Sequence, residues 1–295
     1  MDDTILNFNL PVDTLNIIKS IGVGGGGGNA VTNMYKEGIH DVSFVLCNTD
    51  NQALRKSDVP NKLLIGVNTT GGLGAGNRPE RGESAALESE EDIRSMLNDG
   101  TKMAFITAGM GGGTGTGAAP IVAKISRDMG ILTVGIVTIP YVFEGRSKLV
   151  KALKGVRRMA ENVDSLVVVN NQDLLGLEEL SVPQANRKAD ETLTIAARSI
   201  AEIITTDLEQ NVDFADVDTT MRNSGVALVS VGLGEGEGRL HLAIEQALQN
   251  TLATDKDKIY NAQRVAFVIY YSHENELKVS EMGDIDNLMD TFNKE

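Results

Sequence analysis

The feature that most limits how this chain can fold is a run of nine residues, Gly109-Met-Gly-Gly-Gly-Thr-Gly-Thr-Gly117, six of them glycine. It stands between Met103–Ala108, an apolar run that reads as a strand, and Ala118–Met129, which has helical spacing. A flexible linker would hardly sit inside such a strand–turn–helix unit. A second run, Gly24–Gly28, holds the same position between Leu15–Val23 and Ala30–Glu37. Consecutive glycines cost backbone entropy that a plain turn does not require. In this setting they let backbone N–H groups approach a phosphate, and the helix N-terminus adds partial positive charge. Phosphate binding is the favoured reading of both runs, and the first leaves the nucleotide open. The hydroxyls of Thr114 and Thr116 can add phosphate or metal contacts. A third segment, Gly71-Gly-Leu-Gly-Ala-Gly76, can close over the same phosphates. None of the three contains lysine, and the Gly-x4-Gly-Lys-Ser/Thr pattern is absent, which excludes a P-loop NTPase. Phosphate charge would then be met by backbone N–H groups, helix dipoles and Mg²⁺.

Around these runs, apolar segments alternate with helical patterns. Val42–Cys47, Lys62–Val67, Leu132–Ile139 and Ser165–Asn170 read as further strands, and Glu80–Leu97 and Ser147–Glu161 as helices. Strands that are apolar throughout and alternate with helices imply a parallel sheet covered on both faces. Ligands of such sheets sit at the carboxyl ends of the strands. From Pro183 to about Asp207 one long helix is expected, with Pro183 in its first turn. Beyond it come a short helix Phe214–Met221, a strand Val226–Leu233, a helix Leu240–Leu252, a strand Arg264–Tyr271 and a helix Ile285–Phe292. The expected fold class is α/β: a Rossmann-like parallel-sheet domain over residues 1–182, a central helix over 183–207, and a smaller α+β C-terminal domain over 208–295 that reads as incomplete. Residues 1–13 are expected to be loosely ordered.

Composition narrows the function. Net charge is −14, so a phosphate backbone would be repelled and nucleic-acid binding is disfavoured. The single cysteine, Cys47, reads as a buried strand residue and permits no intrachain disulfide, which fits a reducing compartment. The N-terminus lacks a secretory pattern. No apolar run approaches the ~20 residues of a membrane span. Three histidines and no Cys/His cluster leave little from which to build a zinc site.

Six segments together closely resemble the FtsZ family, the bacterial tubulin homologues of cell division: Gly24–Val31, Asn48-Thr-Asp50, Gly72–Gly76, Gly109–Pro120, Phe143-Glu-Gly145 and Asn211–Val217. The resemblance runs from about residue 14 to the end. It implies a cytoplasmic, assembly-dependent GTPase that polymerises head to tail into protofilaments of the mid-cell division ring. Its ligands would be GTP or GDP, with Mg²⁺ bound mainly through the phosphates and no protein metal site. By matching position, Gly25, Gly26, Gly27, Gly28 and Asn29 would hold phosphates together with Gly112, Gly113, Thr114, Gly115 and Thr116, and Gly76 would close the third loop. Glu144 would contact the ribose, and Asn29, Asn171 and Asp190 would lie near the guanine. The chain itself would be its own longitudinal partner. Membrane tethers and regulators would bind a C-terminal tail of the full-length parent, which is absent here, with no direct membrane insertion.

The segment Asn211-Val-Asp-Phe-Ala-Asp216 has two readings. From the residues alone, Asp213 can cap the helix beginning at Phe214, with Asp216 favoured in its first turn. Capping and catalysis then stand level. The resemblance implies that Asp213 and Asp216, with Asn211, enter the nucleotide site of the next subunit and polarise the attacking water. Three positions depart from the family: Lys148 replaces an arginine and loses its bidentate fork, Asn186 replaces an aromatic residue that stacks on guanine, and Asn77-Arg78 alters the edge of the third loop. The chain also ends before the family's last two strands, which reads first as a fragment or truncated form and second as a naturally short variant, and which would expose an unpaired sheet edge. Two other functions fit part of the pattern. An NAD-binding oxidoreductase is suggested by the first glycine turn and Asp50 at the end of the second strand, but it leaves the second glycine run unexplained. A polymer that binds GTP without hydrolysing it would require a defective carboxylate loop.

Overall fold

The computed structural model describes residues 16–175, 180–206, 213–249, 260–272 and 274–292. Residues 1–13 and Asn211, for which expectations are given above, lie outside them. Seven strands form one sheet: β1 (Ile18–Val23), β2 (Val42–Asn48), β3 (Asn61–Leu64), β4 (Met103–Gly109), β5 (Leu132–Ile139), β6 (Ser165–Asn170) and β7 (Gly225–Val226). Every ladder is parallel and the order is β3-β2-β1-β4-β5-β6-β7. This is the expected parallel sheet. The helices are α1 (Gly24–Glu37), α2 (Asn51–Lys56), α3 (Val67–Thr70), α4 (Pro79–Glu88), α5 (Glu90–Leu97), α6 (Thr114–Asp128), α7 (Arg146–Ala160), α8 (Val182–Thr205), α9 (Phe214–Met221), α10 (Arg239–Gln249) and α11 (Gly283–Thr291). Among the described residues, no helix is long and apolar enough to cross a membrane.

Strand side chains alternate between two buried layers, which is why the strands read as unbroken apolar runs. Met103, Phe105, Leu132, Val134 and Ile136 pack with Met34 of α1, Leu193 and Ile200 of α8, and Val217 and Met221 of α9. Ala104, Ile106, Ala108 and Val137 face the other way, onto Ala85 and Ile93 of α4 and α5 and Val122 of α6. Cys47 lies in this second layer, fully buried, and burial pushes its thiol pKa up to about 12. It is a small apolar core residue, as expected.

Three elements differ from the pattern expected from the sequence. The helix expected to begin at Ala30 begins at Gly24, so the glycine run forms its first turn. The helix expected over Glu80–Leu97 is two helices broken at Ser89. The buried Ser89 hydroxyl accepts a hydrogen bond from Gly66 N at 3.0 Å, which anchors the break to the turn entering α3. The strand expected over Val226–Leu233 pairs with β6 only at its start, and Arg264–Tyr271 forms no ladder among the described residues. A strand persists only where a neighbour takes its N–H and C=O groups. Leu228, Val231, Leu233, Phe267 and Tyr270 accordingly remain exposed despite their β-type composition.

Candidate functional site

The strand order reverses between β1 and β4, and both glycine runs leave the sheet at this point. A crevice forms where neighbouring connections pass to opposite faces of a parallel sheet. The α1 and α6 turns meet there largely backbone to backbone, with the Thr114 side chain against Gly24. A Cβ added to Gly27 would lie 2.0 Å from Thr107 O, and one on Gly115 2.6 Å from Gly109 O. Gly24 has φ +74° and its added Cβ would lie 2.7 Å from Gly115 N. These glycines are required by backbone-to-backbone packing. Gly25, Gly28 and Gly112 differ: an added Cβ would have nothing within 4 Å. Neither α1 nor α6 has a side-chain cap, since Val23 and Gly113 stand at the N-cap positions. The leading N–H groups of two helices therefore face the crevice without side-chain acceptors, a natural seat for an anion.

The third loop lies against the second. An added Cβ on Gly113 would be 2.9 Å from both Ala75 Cβ and Arg78 N. Two backbone bonds, Gly74 N to Thr49 O and Asn51 N to Gly72 O, both 3.0 Å, tie the loop to the end of β2. Gly76, at φ +60°, has open space around it. The two threonines of the second run differ in placement. Thr114, half-buried, has its Oγ1 2.7 Å from Oγ1 of the buried Thr49. Thr116 is buried and accepts a bond from Gly111 N at 2.8 Å, so its hydroxyl is engaged in shaping the turn.

Further polar groups gather past the ends of β5 and β6. Asn171 opens a single 3-10 turn after β6 that packs on α8. Its Oδ1 is buried and has no hydrogen-bond partner in the protein. A buried acceptor left unpaired costs about 1–3 kcal/mol, so this atom is open to a donor from a ligand; the strand hydroxyls of Thr107 and Ser165 are likewise buried without a partner. Asp190 on α8 has its pKa pushed up to about 6, first by burial and then by the charge of Glu191. Tyr141 is fully buried and donates from its hydroxyl to Ala185 O at 2.7 Å, binding the β5–α7 connection to α8. Burial raises the Tyr141 pKa, and the charges of Glu144 and Asp190 raise it further, which places those carboxylates nearby. Glu144 accepts from Tyr141 N at 2.9 Å and from the Lys148 ammonium. Lys148 is thus paired within its own turn. Asn29 and Asn186 are exposed. Thr49, within the segment Asn48-Thr-Asp50, and Tyr141 also stand in this region, and the sequence reading assigns neither a role. Tyr141 directly follows Pro140 at the end of β5, and an aromatic residue at a strand's carboxyl end was the available signal.

Asp213 and Asp216 stand elsewhere. They form a reciprocal cap at the start of α9: Asp216 N donates to Asp213 Oδ1 at 3.0 Å, and Asp213 N to Asp216 Oδ2 at 3.2 Å. Both are exposed. The far end of α9 is fixed at the opposite end of the sheet, where Arg222 lies 3.7 Å from Asp164, the residue before β6. Nine residues of helix reach about 13 Å. A six-residue strand spans roughly 20 Å. Even if aligned with the strands, α9 would leave both carboxylates short of the glycine turns of their own chain.

The fold and these turns define a doubly wound α/β protein with a ligand crevice at the β1–β4 reversal. Residues 17–179 match the family described as Tubulin/FtsZ family, GTPase domain. The chain belongs to the tubulin/FtsZ family. The cell division protein FtsZ of Porphyromonas gingivalis is 54% identical over 295 residues, which span 98% of this chain and 64% of that protein. The chain thus spans slightly less than two thirds of the length of that relative. The cell division protein FtsZ of Aquifex aeolicus is 45% identical over 259 residues, 87% of this chain and 70% of its own. Among solved structures, an empty FtsZ dimer of M. jannaschii is 43% identical with a TM-score of 0.75, covering 79% of this chain and 68% of that one.

Proposed function

We propose that this chain binds a guanine nucleotide across the β1–β4 crevice and hydrolyses GTP at a site completed by α9 of a second copy. The observation that carries the nucleotide assignment is the orphaned Asn171 Oδ1, an acceptor suited to a base N–H. Asp190, whose pKa burial raises to about 6, would accept from further base donors, which favour its ionised form. The uncapped turns at Gly25–Asn29 and Gly112–Thr114 would take the phosphates through backbone N–H groups. Gly76 would close over them, and Gly26, Gly27, Gly113, Gly115 and Thr116 would shape the cradle. Glu144, tied to Lys148, would face the ribose, and Asn186 would border the base. Mg²⁺ carried on the phosphates would supply charge neutralisation during displacement.

Sharing between copies is supported by the placement of Asp213 and Asp216 away from the glycine turns. Stacked head to tail, a neighbour's α9 would bring the two carboxylates to the terminal phosphate, where they would orient and polarise the attacking water. The cap suits this role, because each carboxylate fixes the other's direction. The M. jannaschii relative is a dimer, which is in keeping with self-association. The relatives are cell division proteins, which supports a cytoplasmic polymer acting at mid-cell. Within this reading, residues 1–182 bind nucleotide, 183–207 form the connecting helix, and 208–295 deliver the carboxylates.

Nucleotide extracted from the purified protein should be GDP or GTP; tightly held NAD would refute the assignment. Specific GTPase activity should rise with protein concentration, and activity per molecule that stays flat on dilution would mean a self-contained site. Asp213→Ala should keep nucleotide binding and lose hydrolysis.

A further inference from the structure

Asp164 is almost completely buried and takes no part in the chemistry proposed for the crevice. It precedes β6 at the end of the sheet remote from the glycine turns. Its Oδ2 accepts from Thr133 N at 3.0 Å, and two guanidinium groups flank the carboxylate. Arg127, from the last turn of α6, lies 3.6 Å from Oδ1, and Arg222, from the end of α9, lies 3.7 Å from Oδ2. Arg222 is held in plane by Asp218 one turn earlier, with Nε 2.9 and 3.1 Å from its two oxygens. The segment leaving α9 is tied to the same residue through the backbone, since Gly225 N donates to Asp164 O at 3.1 Å. Arg127 also donates to Asn223 Oδ1. Arg264 takes the carbonyls of Thr219, Thr220 and Arg222, closing the last turn of α9.

Val217 and Met221, one turn apart, are buried in the core, and Phe214 packs partly buried against it. These contacts fix which face of α9 points inward. The direction of Asp213 and Asp216 also depends on the tilt of the helix, and the anchor at the opposite end supplies a second constraint on it. We propose that Asp164 is a positioning residue: through Arg222 it fixes the end of α9 and so the direction in which Asp213 and Asp216 are presented to a second copy. The inference rests on the shared-site reading above.

The test compares Asp164→Asn, Arg222→Gln and Arg222→Lys with the wild-type chain. Backbone amide exchange across residues 214–221 should quicken at least tenfold in the first two variants, with exchange in β1 and β4 unchanged. GTP turnover at saturating nucleotide should fall at least fivefold while GDP affinity holds, and Arg222→Lys should recover part of the loss. If Asp164→Asn fails to fold, Arg222→Gln, whose side chain is one-third exposed, carries the comparison. Unchanged exchange over 214–221 would overturn the anchor. Quickened exchange with undiminished turnover would overturn its role in hydrolysis. A wild-type chain that hydrolyses no GTP would remove the functional reading, and the exchange data would still decide whether the anchor exists.

Discussion

Replacing Asp190 with asparagine keeps the side-chain shape and removes its charge. Its carboxyl pKa stands at about 6 against an ordinary 3.8, and the leading cause is burial. Two units correspond to about 3 kcal/mol. The side chain keeps partial contact with water, which reduces the stability effect to about 1–2 kcal/mol. The folded state binds the proton more tightly than the unfolded state, so stability falls as pH rises from about 4 to about 6 and is level above that. Nucleotide-free Asp190→Asn should therefore be more stable than wild type by about 1–2 kcal/mol at pH 7.5, and the difference should vanish at pH 4. Urea unfolding at both pH values measures this. The variant should lose guanine-nucleotide affinity by tenfold or more, because a bond to a charged acceptor contributes about 1.5–3 kcal/mol. Wild-type affinity should itself decline as pH is lowered through about 6, where protons compete with the base. An equal stability difference at pH 4 and 7.5 would show that burial does not strain this carboxylate, and the argument for its role would fail.

Gly27→Ala should destabilise the fold by about 3 kcal/mol or more in chemical denaturation, because its Cβ would meet the Thr107 carbonyl. Gly25→Ala has room, and should raise nucleotide-free stability by about 0.5–1 kcal/mol through helix propensity while weakening nucleotide binding in a titration. Ser89→Ala removes the acceptor from Gly66 N at a buried site and should cost about 1–3 kcal/mol, read from the shift in urea midpoint.

The parallel sheet was legible because both of its faces are buried and its strands are apolar throughout. Glycine chemistry was legible only in part. Sequence alone assigns Gly25 and Gly27 the same purpose, whereas one faces open space and the other touches β4. That distinction depends on a neighbour eighty residues away. Ser89 was invisible as a helix break because its partner, Gly66, is also distant in sequence. For Asp213 and Asp216, the residues alone leave cap and catalyst level. The cap is formed, and catalysis remains compatible with it. The strands expected after Val226 failed for a different reason. Composition reports a tendency to extend, and pairing needs a neighbour that composition does not supply.

All strands of this sheet run in one direction, so its two ends are chemically unlike. The glycine turns occupy one end, and the anchored end of α9 the other. If copies stack through these ends, the contact is heterologous and does not close on itself. Every such row then has one terminus with an unused cradle and another with unused carboxylates. A row always contains one fewer complete site than it has members. A pair would hold a single working site, and turnover per molecule would climb with row length toward a plateau. Activity measured at fixed protein mass would thus report the mean length of the rows.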